Sequence, residues 1–452
     1  MSLLSGGSLA ASAALALAAT AAMAAGCSSP SGSLDPGGAQ PPGSGAAGTD
    51  SARPAGPTIV SLTFDDGIAS AFKAKSYLAE RGLHATFFVN SGHIGQPSFM
   101  TWEQVEELAR AGNEIGGHTA LHVNLPLLEK AEAQRQICND RVVLLDRGHE
   151  VTSFAYPFGA TDRSIQELAQ ACGYNSARTT THVERTVETV PPGAPYAIQI
   201  GNDGTPALDE IKAAIGNAIA GGGGWMPILF HGICDGCSEM AISETSFVAL
   251  LDWLEEQQAL DVTVQTVGEV IGGTVLPAVD GPAAREPPNG TNAVRNASLE
   301  ADEDGDGEPD CWRTSTPSAD AAAWAPATIA HGGSAALTVE VAAKVEGAPR
   351  LSIHEDLGQC TPSVVAGHRY RITAWYMSTV PTWFTTHTRE RTTFVYGTKS
   401  PDFPPASDWA LAEWVTPPLP DGVDGLSFGI SIGEEGSLTV DDLGFDDAAA
   451  AE

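Results

Sequence analysis

The chain has 452 residues, too many for one ordinary core, and a prior of roughly 150 residues per domain divides it into two or three folded units. Asp and Glu number 56 against 23 Lys and Arg, a formal net charge of -33, so its field repels phosphate backbones and anionic headgroups and argues against a nucleic-acid partner. Apolar periodicity and nine Trp run through the same sequence, which marks the acidity as a solvated surface on folded domains.

Residues 9–25 carry no charged side chain and lead into Ala24-Ala25-Gly26-Cys27, followed by Ser28 and Ser29. This resembles a bacterial lipoprotein signal: an apolar segment, small residues before the cleavage point, and lipidation at Cys27. It departs from that pattern in having no Lys or Arg in residues 1–8. The other reading is an Ala-rich membrane anchor, and either one places the remainder outside the cytoplasm, at the membrane or secreted. Residues 28–56 are mostly Ser, Gly, Pro and Ala and read as a flexible tether.

From residue 58 the pattern alternates short apolar strands with amphipathic helices: a strand at 59–64, a helix at 69–81, a strand at 85–90. Thr101 and Gln104 form a capping-box pair, Trp102, Val105 and Leu108 share the apolar face behind it, and Gly112 ends that helix before a strand at 114–116. Repeated strand-helix order over some 220 residues, 57–273, implies an α/β domain on a parallel sheet with barrel-like closure. Residues 274–294 read as a linker, with Pro, Gly and Asn concentrated in 281–292. From 295 to 452 strands dominate, alternating at Tyr370, Ile372, Ala374 and Tyr376 and again at Leu426, Phe428, Ile430 and Ile432, as in an all-β sandwich. No internal repeat is visible.

Seven Cys less Cys27 leaves six, an even number that suits an oxidising compartment. Sequence proximity suggests Cys138 with Cys172, Cys234 with Cys237, and Cys311 with Cys360. For Cys234 and Cys237 a metal or redox pair is the alternative.

Three segments of the first domain carry chemistry: Thr63-Phe64-Asp65-Asp66-Gly67, Gly117-His118-Thr119-Ala120-Leu121-His122, and Leu229-Phe230-His231. Adjacent Asp residues at a strand end point to different sides, so one can bind a metal while the other faces substrate. His118 and His122, at i and i+4, are spaced to share one face of a helical turn and one ion. Asp66, His118 and His122 make a two-nitrogen, one-carboxylate set with a position left for water; zinc suits it, and cobalt or nickel also fits. His84, His93, His149 and His182 are read as structural.

These motifs, together with Ala85-Thr86-Phe87-Phe88-Val89 and Gly112-Asn113-Glu114-Ile115-Gly116, resemble the polysaccharide deacetylases of carbohydrate esterase family 4, the NodB-homology domain. The resemblance implies a distorted (β/α) barrel and metal-dependent hydrolysis of acetamido groups on a polysaccharide substrate such as exopolysaccharide, peptidoglycan or a chitin-like polymer. It implies Asp65 as general base, His231 as general acid, and Asp66, His118 and His122 as metal ligands. Leu229 would contact the acetyl methyl. The family's R-x-P-x-G loop reads Ala155-Tyr156-Pro157-Phe158-Gly159 here, so the Phe158 amide can serve as oxyanion donor on a loop shaped by Pro157 and Gly159, but the Arg is missing. Similar loops occur in the branch that deacetylates poly-β-1,6-N-acetylglucosamine. Arg178 is the candidate replacement, and the residues leave open whether Asp203 or Asp235 tunes His231. An O-acetyl polysaccharide esterase and an inert envelope glycan-binding protein are the alternative functions.

Six of the nine Trp fall in the second domain: Trp312, Trp324, Trp375, Trp383, Trp409 and Trp414. Exposed rings stack on sugars, while a sandwich of this size also needs several to fill its core. The domain resembles jelly-roll carbohydrate-binding modules, which often hold structural calcium where their termini meet. Glu300, Asp302, Asp304, Asp306 and Asp442 are the candidate calcium ligands, the Asp run lacking the position-12 Glu of an EF-hand. A solvated acidic turn is the equal alternative, and no protein partner can be inferred.

Overall fold

In a computed structural model, the described residues are 56–182, 187–201, 208–236, 240–284, 291–316, 322–343 and 347–448. The proposed signal, Cys27 and nearly all of the tether lie outside them, as do Asp203 and Cys237. Among the described residues no helix is long and apolar enough to cross a membrane.

The first domain is built on seven strands in parallel succession: β1 Thr58–Phe64, β2 Thr86–Val89, β3 Glu114–Gly117, β4 Ser153–Ala155, β5 Ser176–His182, β6 Ile198–Ile200 and β7 Gly224–Phe230. β1 pairs with both β2 and β7, and the Gly201 N–H donates to Pro227 O at 2.8 Å to join the β6 end to β7, so the sheet curls into a distorted barrel. A short ladder of β8 Gly232–Ile233 with β9 Ala241–Ile242 follows, and β10 Val262–Val264 pairs with the start of β1. β1 is buried along its full length, which explains why its sequence is continuously apolar apart from hydroxyls. One of these, Thr63, donates to Ile228 O at 2.9 Å.

Helices pack around the strands. The 69–81 segment divides into a 3-10 turn, Ala69–Lys73, and helix α1, Ala74–Ala79. In α2, Trp102–Arg110, both halves of the Thr101–Gln104 capping box are present, with Val105 and Leu108 buried. α3, Lys130–Asp146, is the longest, and Cys138 on it is bonded to Cys172 beyond α4, Arg163–Ala171. α5, Leu208–Ala220, precedes β7; α6, Glu244–Gln257, carries Phe247 into a ring cluster with Phe64 and Phe230 at 5.7 and 5.9 Å; α7, Val267–Ile271, closes the domain. Residues 274–284 are not free: Arg141 on α3 donates to Leu276 O and Pro277 O, and Gly281 N–H to Asn139 Oδ1.

The second domain is a sandwich of two five-stranded antiparallel sheets. One has the order β11 Trp312–Ser315, β14 Arg350–Ile353, β19 Gly425–Ile432, β16 Thr382–Glu390, β17 Thr393–Lys399. The other runs β12 Ala322–Pro326, β13 Leu337–Val341, β20 Gly436–Asp447, β15 Tyr370–Ser378, β18 Ala406–Val415. The alternating residues of β15 and β19 fill the core between the sheets with Trp312, and Cys311 is bonded to Cys360. Cys234 is also disulfide-bonded.

The two domains pack directly. The β16–β17 turn inserts Thr392, 1 % exposed, against Ser91 and Gly92; a Cβ on Gly92 would stand 2.3 Å from Thr392 O, so only glycine admits this approach. Gln96 donates to Phe394 O, Arg391 pairs with Asp146 at 2.8 Å, and the buried Glu132 of α3 accepts from Leu357 N–H at 2.8 Å. Phe247 is fully enclosed, so Phe247→Ala is expected to destabilise the chain by about 3–5 kcal/mol, read as a lowered urea midpoint.

Candidate metal and catalytic site

The chemistry-bearing residues lie at the carboxyl ends of neighbouring strands. β1 ends in Asp65 and Asp66, β3 runs into His118, β4 ends at Ala155, β5 holds Arg178, and β7 leads to His231. This is where an α/β barrel presents its loops. Asp65 N–H donates to Phe230 O at 2.9 Å, tying the ends of β1 and β7 together.

Asp66 Oδ1 lies 3.3 Å from His118 Nε2 and 3.1 Å from His122 Nε2. His118 Nδ1 is 2.7 Å from Ala155 O, and because a carbonyl only accepts, Nδ1 bears the proton and Nε2 of the neutral ring turns its lone pair toward Asp66. Asp66 Oδ1 is itself buried without a hydrogen-bond donor. Two ring nitrogens and a carboxylate oxygen facing one another call for positive charge between them. Burial resists ionisation of Asp66, yet the His118 and His122 rings outweigh it and hold the carboxyl well below its usual range. Burial likewise disfavours charge on His118, but Asp65 and then Asp66 outweigh it and raise its pKa. Ligand atoms around a tetrahedral zinc stand about 3.3 Å apart, so the observed spacings fit a divalent cation.

The i, i+4 pair reaches this geometry by a route other than the helical turn its spacing suggests. Residues 118–122 form an irregular loop in which Thr119 and His122 have φ of 65° and 53°. Asp66 at 70° and Phe158 at 58° are left-handed too, so four non-glycine residues around one centre hold a conformation that costs about 1–3 kcal/mol each. The loop is held from behind. Asp140, fully buried on α3, accepts from His118 N–H at 3.1 Å and from Ser91 N–H at 2.9 Å, while Asn90 donates to His118 O and to Thr119 O. Burial pushes Asp140 up to about 6 despite these donors. At Gly117 a Cβ would meet Tyr174 Oη at 2.0 Å and Asp140 Oδ2 at 2.8 Å, which excludes other residues from that strand end.

Asp65 is 2 % exposed, and Arg178, 1 % exposed, donates through Nη2 to its Oδ1. Arg178 also donates to Thr179 O at 3.1 Å and lies over the Phe88 ring. An arginine from β5 thus stands against Asp65 although position 155 holds alanine. Asp65 Oδ2 lies 3.8 Å from His118 Nε2. His231 is half-buried and burial lowers its pKa against the opposing pull of Asp65 and Asp66; its Nδ1 is buried without a partner. Leu229, 3 % exposed, sits beside Thr63 in the ladder. Pro157 is buried, and Phe158, 62 % exposed, sets its ring 4.7 Å from the His122 ring. Gly159, at φ 65°, faces Thr180.

The five expected calcium ligands do not form one site. Asp302 and Asp304 gather with Asp310, but the carboxylates accept from the loop's own N–H groups, Asp302 from Gly305 and Gly307, Asp304 from Asp306, Asp310 from Glu303. Asp306 accepts from Glu308 N–H. Glu300 instead binds Ser334 and Ala335, and Asp442 binds His331 Nδ1 at 2.6 Å, because the 331–335 loop offers them donors.

Residues 52–177 match the family model for polysaccharide deacetylase. YxkH of Bacillus subtilis (strain 168), a protein named for polysaccharide deacetylases, is 30 % identical over 123 residues, 27 % of this chain and 44 % of that protein, so the chain spans less than half of that relative. Among solved structures, the peptidoglycan deacetylase PdaC from Bacillus subtilis is 21 % identical with a TM-score of 0.32, covering 47 % of this chain and 90 % of PdaC. A family 4 carbohydrate esterase from Streptomyces lividans in complex with acetate is 18 % identical with a TM-score of 0.34, covering 46 % and 91 %. Residues 52–177 are thus similar to polysaccharide deacetylase domains, and a β-sandwich follows them in the chain. His118→Ala removes one of three donors and is expected to abolish stoichiometric zinc binding, measured by elemental analysis after gel filtration; full zinc content in that variant would contradict the ligand set.

Proposed function

We propose that the chain is an extracytoplasmic, metal-dependent deacetylase that hydrolyses N-acetyl groups on an N-acetylglucosamine-containing polysaccharide. The observation that carries this reading is the Asp66–His118–His122 cluster set beside the Arg178-held Asp65, within a domain matched by the family model. Asp66, His118 and His122 would hold the ion. A divalent cation, zinc or alternatively cobalt or nickel, supplies Lewis acidity there, polarising the acetyl carbonyl and acidifying water.

The remaining work falls to the chain's own groups. Asp65 accepts the proton of the attacking water, its orientation held by the guanidinium of Arg178. The Phe158 amide, on the loop shaped by Pro157 and Gly159, donates to the oxygen that gains charge. As the carbon–nitrogen bond breaks, His231 donates a proton to the departing amine, leaving acetate and a free amino sugar. Leu229 borders the space for the acetyl methyl. The apolar run ending at Cys27 supports lipidation at that residue, with the 28–56 tether letting the enzyme stand away from the membrane.

Substitutions at two residues test the assignment by acetate release from N-acetylglucosamine hexamers. Asp65→Asn is expected to lower turnover by about 10³-fold or more with metal content unchanged, and undiminished turnover would refute the base. Arg178→Ala leaves Asp65 buried without its cation, so turnover is expected to fall by about 10²-fold, with partial recovery in Arg178→Lys; equal activity in all three forms would show that Arg178 does not position the base.

A further inference from the structure

Three polar side chains on α3, Glu132, Gln136 and Asp140, follow one another at intervals of four residues, which puts them in a row along one side of the helix. All three are fully buried. Polar groups so placed persist only when bonded, and their partners define what the row connects. At one end Asp140 accepts from His118 N–H at 3.1 Å and from Ser91 N–H at 2.9 Å. In the middle, the Gln136 side chain accepts from Leu121 N–H at 3.1 Å and its main-chain carbonyl accepts from Ala120 N–H at 3.0 Å, while Nε2 donates to Glu132 at 2.9 Å. At the other end Glu132 accepts from Leu357 N–H of the sandwich at 2.8 Å. The loop that bears His118 and His122 therefore leans on this row through three of its amides.

The sandwich reaches the row a second time through Thr392, in the two-residue turn Arg391-Thr392 closed by the Glu390–Thr393 pair. Thr392 Oγ1 lies 3.1 Å from Ser91 Oγ, with both residues enclosed, and its carbonyl sits against Gly92, where no side chain would fit. Ser91 leads to Asp140 through its N–H, and Gly92 N–H donates to Ala120 O at 2.9 Å. Two hydrogen-bonded routes thus run from the sandwich to the His118 loop. One passes Thr392, Ser91, Asp140 and His118; the other passes Leu357, Glu132, Gln136 and Leu121. Hydrogen bonds shielded from water in this way hold their geometry more firmly than exposed ones.

We propose that the sandwich is a positioning element of the candidate metal site: through Thr392 and Gln136 it sets the place of His118 and His122, so that the first domain depends on the second for its grip on the ion. The consequence for the ion rests on the metal reading of Asp66, His118 and His122; the positioning of the loop does not. An ion accepts a narrow range of ligand positions, so releasing the loop on one side lowers affinity with every ligand still present.

The test uses the full chain and reads hydrogen–deuterium exchange of segment 117–122 in metal-free protein, zinc affinity by competition with a chromophoric chelator, and the visible spectrum of the cobalt-loaded form. Thr392→Val keeps the side-chain shape and removes the hydroxyl; Gln136→Met cuts the other route at its midpoint. Both are expected to exchange faster at 117–122, to bind zinc about tenfold more weakly and to shift the cobalt spectrum. Thr392→Ser, which keeps the hydroxyl, is expected to match the unsubstituted chain in all three. Arg295→Ala breaks an exposed 2.8 Å ion pair to Glu129 between the same domains, off both routes, and should change none of them. Exchange in α6 reports on global folding. Unaltered exchange at 117–122 in both variants, unaltered zinc affinity in both, the same change in Arg295→Ala, failure of Thr392→Ser to recover, or an equal rise in α6 overturns the proposal. Hydroxyl-dependent exchange at 117–122 in a chain that binds no zinc in any form upholds the positioning and removes the metal reading alone.

Discussion

Two imidazole nitrogens are aimed at a single buried carboxylate oxygen, and much of the first domain is arranged to keep them there. The Ala155 carbonyl fixes the His118 tautomer, so the lone pair on Nε2 faces Asp66. Asp140 and Asn90 hold the main chain of the His118 loop from both sides. Four left-handed residues around the centre are strained, and such strain persists only where surrounding contacts overdetermine it. A positive charge at the point where the three groups meet relieves the repulsion that the fold imposes.

The sandwich domain takes part in that support. Thr392 presses on Ser91 and Gly92, and Ser91 N–H donates to the same Asp140 that holds His118. Glu132 of α3, satisfied by Arg135, Gln136 and the Leu357 N–H, anchors the other end of the contact. Helix α3 is therefore both the rear wall of the His118 loop and the seat of the second domain.

Much of this was legible in the sequence because the chemistry sits in short contiguous runs. Asp65, Asp66, His118, His122 and His231 lie at strand ends whose hydrophobic pattern is plain, and the capping box of α2 follows from two residues. The helical turn inferred from His118 and His122 fails because a four-residue spacing does not fix backbone conformation, and the loop is shaped by long-range bonds to Asp140 and Asn90. Asp140 was missed because burial extends around α3 and takes in Glu132, Arg135, Gln136 and Arg141 as well, so no one acid stands out from the helix's sequence. Arg178 could be proposed as a substitute for the absent motif arginine, but its place depends on the pairing of β4 with β5, which local sequence does not specify. In the acidic run at 302–310, Asp302 and Asp304 do gather with Asp310, while their carboxylates also accept from the loop's own backbone, a habit of carboxylates in tight turns.

The most direct test of the central claim is to measure bound metal and acetate release together on wild-type chain, before chelation, after chelation, and during stepwise return of zinc. The account predicts that activity on N-acetylglucosamine hexamers disappears with the metal and returns in proportion to it, reaching its maximum near one ion per chain. Full acetate release from metal-free chain would contradict it.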